Sequence, residues 1–410
     1  MSQKKTIWII NQYSSTPETG LGGRHYYFAK SLAKLGYEVY LVGAAFTHLL
    51  RKPPVFQDQF KIEKIENGFN FVWVKMPVYA EAHSKKRIAN WFSFAWKITK
   101  LKNILPAPDV ILYSSPSLVG YLGAEKLARD LSVPLAFEVR DIWPLTLCEL
   151  GGYSESHPFI RLLQWIEDRA YKNADYVFSN LKNSYEHMQS RGMRLEKFAW
   201  IPNGFLKEEV EGAQLLEQVT LDQLPKDKFI VGYAGTLGIA NALDSFIEAA
   251  NQLKKYSEIA FVLVGNGKLK QRLQQQAEDL NLTNVYFVDA IPKKQVQSLL
   301  KVFDVCYIGL TKDPLFRFGV SPNKLFDYLY AGKPVLYAID SGPYTPIADS
   351  QAGIQIEPEN VQHIVEGVLK LYNISPEERA IMGHNGHQEA IQSYEYGSLT
   401  QKLALILFKE

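Results

Sequence analysis

Short apolar runs rich in Val, Ile, Leu and aromatic residues alternate with amphipathic helical stretches along the whole chain, the pattern of parallel sheets joined by crossover helices. In the first half the spacing predicts strands at 6–11, 37–42, 69–74, 110–113, 135–138 and 176–179, with helices at 25–35, 118–130 and 159–173. The rhythm breaks after Trp200, where Pro202 and Gly204 punctuate the chain and a charged stretch without strand signals runs to Lys228. It then restarts, with strands expected at 230–234, 260–264, 285–288, 305–309 and 334–338 and helices at 243–253, 269–280, 296–301 and 323–330. The expected fold class is therefore α/β: two doubly wound Rossmann-like domains, 1–204 and 205–387, facing a cleft. The second pattern is complete before Gln388, so the helical stretch 388–410, interrupted near 393–397, is expected to return to the first domain. Ligands of such sheets bind outside the carboxyl ends of the strands, which puts the expected site between the domains' loops.

Composition narrows the function. The 410 residues carry 45 Lys and Arg against 43 Asp and Glu, a net charge of +2, which argues against a protein that binds nucleic acid through its overall field. Cys148 and Cys306 stand far apart, with neither zinc-site nor redox-pair spacing, and read as buried thiols in a reducing compartment. No run approaches the roughly 18 to 20 apolar residues of a bilayer span. The apolar run at 6–10, after Lys4 and Lys5, is too short for a signal-peptide core. The expected location is the cytoplasm.

Three glycine-bearing strand ends carry candidate chemistry. Gly20, Gly22 and Gly23 follow the first strand and open the first helix at Arg24–His25, where backbone N–H groups can meet an anion. The segment lacks both G-x-G-x-x-G and a following Lys-Ser/Thr, and a tight turn without a ligand is the alternative. In the second half, Gly235-Thr236-Leu237-Gly238 and Gly265-Asn266-Gly267-Lys268 repeat the arrangement, a candidate diphosphate cradle in which Lys268 is either a phosphate ligand or a solvated helix-start lysine. The most informative segment runs from Arg317 through Phe318-Gly319-Val320-Ser321-Pro322-Asn323-Lys324 to Val335. A helix starting at Pro322 or Asn323 offers free N–H groups to phosphate, Lys324 adds charge, and Asp327 one turn on can accept hydrogen bonds from a ribose diol. Leu325, Phe326 and Leu329 read as core.

With Phe137-Glu138-Val139-Arg140-Asp141-Ile142-Trp143-Pro144 and the closing Ala331-Gly332-Lys333-Pro334-Val335, these motifs resemble the retaining nucleotide-sugar glycosyltransferases of family 4, which have the GT-B fold. The subgroup the chain most resembles is that of the bacterial O-antigen and capsule transferases related to L-fucosaminyltransferases. The resemblance implies that the second domain holds a donor diphosphate, that the anomeric bond ionises, and that the acceptor hydroxyl attacks on the face being vacated. It implies a UDP-linked N-acetyl or deoxyamino hexose as donor and a polyprenyl-diphosphate-linked saccharide as acceptor. The donor-binding set it implies adds Ile291, beside the base, to Gly22, Gly23, Gly235, Thr236, Leu237, Gly265, Lys268, Arg317, Gly319, Val320, Ser321, Lys324 and Asp327. No Asp-x-Asp occurs, so neither metal nor other cofactor is expected.

The chain departs from the family pattern in three places. The usual pair of glutamates eight positions apart falls on Gly319 and Asp327, the usual Arg and Lys after the first second-domain strand fall on Thr236 and Asn241, and the frequent first-domain histidine would fall at 113–116, where there is none. Glu138, Arg140 and Asp141, at a first-domain strand end, are the candidate catalytic groups, Glu138 and Asp141 to orient sugar or acceptor and Arg140 to face phosphate or Asp141; a structural ion pair beside Trp143 is the alternative. His25 is an acceptor contact or a packing residue. Lys85, Lys86, Arg87 and Trp91 begin a basic, aromatic helix that either lies in the headgroup layer of an anionic membrane, where a lipid-linked acceptor would bring it, or packs on its own domain. Two other readings of the two-domain plan are a nucleotide-sugar 2-epimerase and a non-catalytic partner of another transferase.

Overall fold

The computed structural model describes residues 4–79 and 85–408, without the side chain of Lys85. The chain divides into two compact units, one formed by residues 1–202 with 396–410 and the other by residues 203–395. The first is built on eight strands: β1 (Thr6–Ile10), β2 (Glu38–Ala44), β3 (Phe60–Glu66), β4 (Phe69–Val74), β5 (Val110–Ser114), β6 (Leu135–Val139), β7 (Tyr176–Ser179) and β8 (Phe198–Trp200). They lie in the order β3-β4-β2-β1-β5-β6-β7-β8. β1, Thr-Ile-Trp-Ile-Ile, is buried throughout, as a central strand covered on both faces must be. β3 is the antiparallel edge, and its alternating charged residues suit a strand that must not recruit a neighbour.

The second unit carries β9 (Phe229–Ala234), β10 (Ile259–Val264), β11 (Val285–Val288), β12 (Val305–Gly309), β13 (Val335–Ala338) and β14 (Gly353–Ile356). All are parallel, in the order β11-β10-β9-β12-β13-β14. Its core includes Phe246 stacked on Tyr307 with ring centroids 4.3 Å apart. The strand order reverses between β1 and β5 in one unit and between β9 and β12 in the other, the switch points at which open α/β sheets leave a crevice.

The helix Pro376–Ser393, opened by a capping box between Ser375 and Glu378, belongs to the second unit. The returning segment therefore starts at Tyr396 and not at 388: Tyr396 begins the last helix, and its ring meets those of Tyr27 and Phe28 at 5.2 Å each. Among the described residues no helix is long and apolar enough to cross a membrane.

Two helices of the first unit, α2 (Lys85–Ile98) and α3 (Val119–Leu131), follow α1 (Arg24–Lys34) and pack on each other. A glycine sets their approach, because a β-carbon at Gly123 would overlap the Ala95 carbonyl. Gly123→Ala should destabilise the protein by about 1–3 kcal/mol, read as a lower melting temperature.

Candidate active site

In the second unit the site is built on the end of β9. Its ladder with β12 stops at the Gly232–Cys306 pair, so Ala234 must find hydrogen-bond partners elsewhere at the switch point. The helix Asn323–Tyr330 supplies them: the Tyr328 hydroxyl accepts from the Ala234 N–H at 2.9 Å and donates to the Ala234 carbonyl at 3.2 Å, which fixes this helix over the strand end. The helix opens at Pro322 with no side-chain cap. The Lys324 stem passes Gly235, where a β-carbon would overlap its Cε, and the ammonium donates to Asn241 Oδ1 at 2.7 Å while lying 5.0 Å from the Tyr233 ring centroid. Burial pushes this lysine down to about 8, so near neutral pH it is a cation with few partners. An anion placed there gains a charge-assisted hydrogen bond.

Asp327 faces different neighbours. Burial pushes its carboxyl up to about 6, with Lys293 opposing the rise and Glu209 adding to it; those two pair with each other at 2.5 Å. Gln297 Nε2 donates to the Asp327 carbonyl at 3.1 Å. Half-buried Ile291 lies two residues before Lys293, so Asp327 stands toward the turn expected to meet a base, and Lys324 toward the end of β9.

The glycine loops of the second unit pack closely on each other. A β-carbon at Gly265 would strike the Gly235 carbonyl and one at Gly267 the Leu237 carbonyl, so these glycines serve loop-on-loop packing. Leu237 is core, its N–H donating to Asn266 O at 3.0 Å and its carbonyl accepting from Leu269 at 3.1 Å. Thr236 is exposed, and its carbonyl accepts from Tyr233 at 2.6 Å and Asn241 at 3.1 Å. Lys268 is exposed, and the cation closing this loop is Lys270, on Asp289 at 2.5 Å and Asn266 at 3.0 Å. Arg317 is also exposed, with Nη1 donating to Pro314 O at 2.5 Å and its guanidinium 4.3 Å from the Phe318 ring. Gly319 takes φ 94° and Val320 is buried. Ser321 is fastened by Asn203, whose N–H donates to its Oγ at 2.9 Å and whose Nδ2 donates to its carbonyl at 3.0 Å. The sequence reading did not single out Asn203 or Tyr328.

In the first unit, Gly22 and Gly23 take φ 65° and 85°, a left-handed turn that glycine enters without strain. Gly22 N–H donates to Ser15 Oγ at 3.2 Å, and the space a β-carbon would fill at Gly23 is open. Beneath this loop lies a buried charge network. Arg24 Nε donates to Glu138 Oε1 at 2.8 Å, Nη2 to Ile201 O at 2.7 Å and Nη1 to Pro202 O. Ser114 Oγ donates to Glu138 Oε2 at 2.6 Å, and His25 Nε2 lies 2.8 Å from that oxygen and 2.9 Å from Ser114 Oγ. Burial works against the Glu138 carboxylate, but Arg24, His25 and Ser114 outweigh it and hold the group well below the usual range. Burial pushes His25 down against the pull of Glu138. An ionised Glu138 only accepts, so the neutral imidazole carries its proton on Nε2. Glu138 and His25 are 2% and 4% exposed, so neither is the substrate contact the sequence suggested; both support the loop from below. His25 does fill the end of β5, the place where the sequence offers no histidine.

Two family models divide the chain between them: "Glycosyl transferase 4-like domain" over residues 19–204 and "Glycosyl transferases group 1" over residues 221–389. Together these domains cover most of the chain, which belongs to the glycosyltransferase families they describe and has the GT-B fold. It is 26% identical to WcaI of Escherichia coli K12, named for colanic acid biosynthesis, over 64% of this chain and 65% of that one. It is also 26% identical to the alpha-1,3/1,6-mannosyltransferase ALG2 of Dictyostelium discoideum, over 59% of this chain and 61% of that one. The matches thus span somewhat less than two thirds of these relatives. In structure it is similar to HepE of Anabaena, solved with UDP and glucose, with a TM-score of 0.64, 16% identity, and coverage of 98% of this chain and 99% of that one.

Two of the first-unit candidates lie outside the Glu138 network. Asp141 is exposed, yet desolvation by the surrounding protein raises its carboxyl, opposed by Arg140. Arg140 N–H donates to Ser115 Oγ at 2.9 Å, and its Nε is buried without a partner among the described residues. On α2, Lys86 is exposed and the Lys85 side chain lies outside the described residues. Trp91 is core at 4% exposure, donating to the Tyr13 hydroxyl at 2.9 Å and meeting Trp143 edge-on at 5.7 Å, so it is not a membrane contact. Arg87 is half-buried, 5.9 Å from the Tyr13 ring centroid. Among the described residues no group of three or more His, Cys, Asp or Glu is placed to hold a metal ion.

Removing the Glu138 charge leaves a buried guanidinium without its anion. Glu138→Gln should cost about 3–5 kcal/mol in urea unfolding, whereas Asp141→Asn should change stability by less than about 0.5 kcal/mol.

Proposed function

We propose that the chain is a retaining transferase that moves a hexose from a nucleoside diphosphate sugar to a saccharide acceptor carried on a polyprenyl diphosphate, in surface polysaccharide assembly. The observation that carries this reading is the half-buried Lys324 ammonium at an uncapped helix start beside the end of β9, with a raised-pKa carboxylate, Asp327, one turn on. Lys324 and the first-turn amides meet the donor diphosphate, and Asp327 accepts hydrogen bonds from the ribose diol. A UDP-linked N-acetyl or deoxyamino hexose is the donor suggested by the L-fucosaminyltransferase-like motifs, and the complex of HepE with UDP supports the base. The name of WcaI, for colanic acid biosynthesis, supports a polysaccharide acceptor.

In the proposed reaction the anomeric carbon–oxygen bond breaks and its electron pair leaves with the diphosphate. The acceptor oxygen then bonds to the anomeric carbon on the vacated face, and its proton passes to a leaving-phosphate oxygen. The chain's part is to stabilise negative charge growing on the diphosphate through Lys324 and backbone N–H groups, and to place the acceptor near Asp141 and Arg140.

Calorimetry with UDP in the presence of EDTA tests the site. UDP should bind without metal, and Lys324→Met should weaken it by about 10- to 100-fold, the worth of one charge-assisted hydrogen bond; unchanged affinity would refute this phosphate site.

The pH dependence separates the two residues. Binding of a UDP-sugar should fall below about pH 6, where Asp327 is protonated, and above about pH 8, where Lys324 loses its charge. Asp327→Asn should weaken binding and remove the acid limb. A raised carboxyl pKa contributes stability in full below its unfolded value and loses it as pH rises through about 6. The Asn variant should therefore be more stable than the wild type to urea unfolding at pH 7.5, by at most about 3 kcal/mol and less for the carboxylate's remaining solvent contact.

A further inference from the structure

The buried side of α2 is formed by Trp91, Phe94, Ala95 and Ile98, spaced as one helical face. Phe92 and Trp96, one turn apart, point the other way and are 46% and 61% exposed, in line with exposed Ala89. Residues 85–102 contain Lys85, Lys86, Arg87, Lys97, Lys100 and Lys102 and no acidic residue. Lys100 Nζ lies 4.0 Å from the Trp96 ring centroid, and Lys97 donates to the Lys75 carbonyl at 2.5 Å. Lys102 is paired with Asp130 at 2.7 Å, but among the described residues no acid pairs with Lys75, Lys97 or Lys100. Burial and the neighbouring Lys100 and Lys75 charges hold Lys97 below the usual lysine range, so the fold carries positive charges here that repel one another.

We infer that the exposed stripe of α2 formed by Phe92 and Trp96, flanked by half-buried Lys97 and by Lys100 just beyond the helix end, docks on an anionic lipid bilayer. An indole and a phenyl ring on one stripe suit the boundary between headgroups and acyl chains, and lysine stems reach from that boundary to lipid phosphates. The charge is complementary to such a surface, and among the described residues no acid pairs with it. Nucleic acid would meet the cations but gain little from both rings on the same stripe, and the net charge of +2 offers it no wider field. The sequence placed the membrane contact around Trp91; the structure turns Trp91 inward and presents Phe92 and Trp96 instead.

Sedimentation of the full chain with vesicles tests this independently of donor binding. The protein should pellet with equimolar phosphatidylcholine and phosphatidylglycerol, remain in solution with phosphatidylcholine alone, and be released by high salt. Phe92→Ser/Trp96→Ser should weaken binding by about tenfold, and Lys97→Gln and Lys100→Gln by about fivefold each. Brominated acyl chains should quench emission from the wild type more than from Trp96→Phe. Circular dichroism and melting temperature should confirm that each variant is folded. Equal binding to both vesicle types, folded variants that bind as the wild type does, or retention on duplex DNA without affinity for the anionic vesicles would each overturn the inference.

Discussion

An ammonium group moved largely out of water keeps its charge only if its protons find acceptors, and the second unit's site is arranged around that requirement at Lys324. Gly235 lacks a side chain where the lysine stem passes, Tyr328 anchors the helix to Ala234, and Asn241 presents an oxygen to the ammonium. A cation at 241, as the family pattern leads one to expect, would stand against Lys324 within about 4 Å, a repulsion of about 4 kcal/mol at an effective dielectric of 20. The amide at 241 and the lysine at 324 are thus one arrangement. The positive charge reaches the end of β9 from the helix, not from the loop that follows the strand.

The first unit solves the opposite problem. Glu138 is an anion with almost no solvent, and Arg24, His25 and Ser114 are the partners that keep it ionised. Arg24 also holds the carbonyls of Ile201 and Pro202, so the charge that supports the glycine loop also fixes the last residues before the chain enters the second unit. A carboxylate engaged this fully has no capacity for a substrate. Exposed Asp141 and half-buried Arg140, at the same strand end, stand outside that network.

Most of the fold was legible because parallel strands covered on both faces are continuous apolar runs, as in β1, β10 and β12. β3 was not, because an exposed edge strand alternates Lys and Glu with apolar residues and carries no such run. The β14 strand, Gly-Ile-Gln-Ile, is half-buried and too short to stand out. At the candidate site, the helix start that carries Lys324 and Asp327 was readable from the sequence, whereas the glycine loops were ambiguous: glycine marks close approach of backbone, and sequence does not say whether a ligand or another loop approaches. In α2 the aromatics at 91, 92, 94 and 96 surround the helix, so which of them faced the core depended on partners such as Phe159 and Trp143, distant in the sequence.

The missing first glutamate is more than a side-chain change. Gly319 sits at φ 94°, a conformation that L side chains rarely adopt, and its N–H donates to Phe316 O at 2.8 Å. A glutamate there would strain this turn or force residues 316–321 into another path, displacing Ser321 from Asn203. The backbone has therefore settled on an arrangement without that carboxylate, in which position 319 can offer a ligand only main-chain groups. Differences from the family pattern at 236, 241 and 319 are consequently linked through geometry on either side of one helix start: charge is supplied by Lys324, and the loop before it is shaped by glycine.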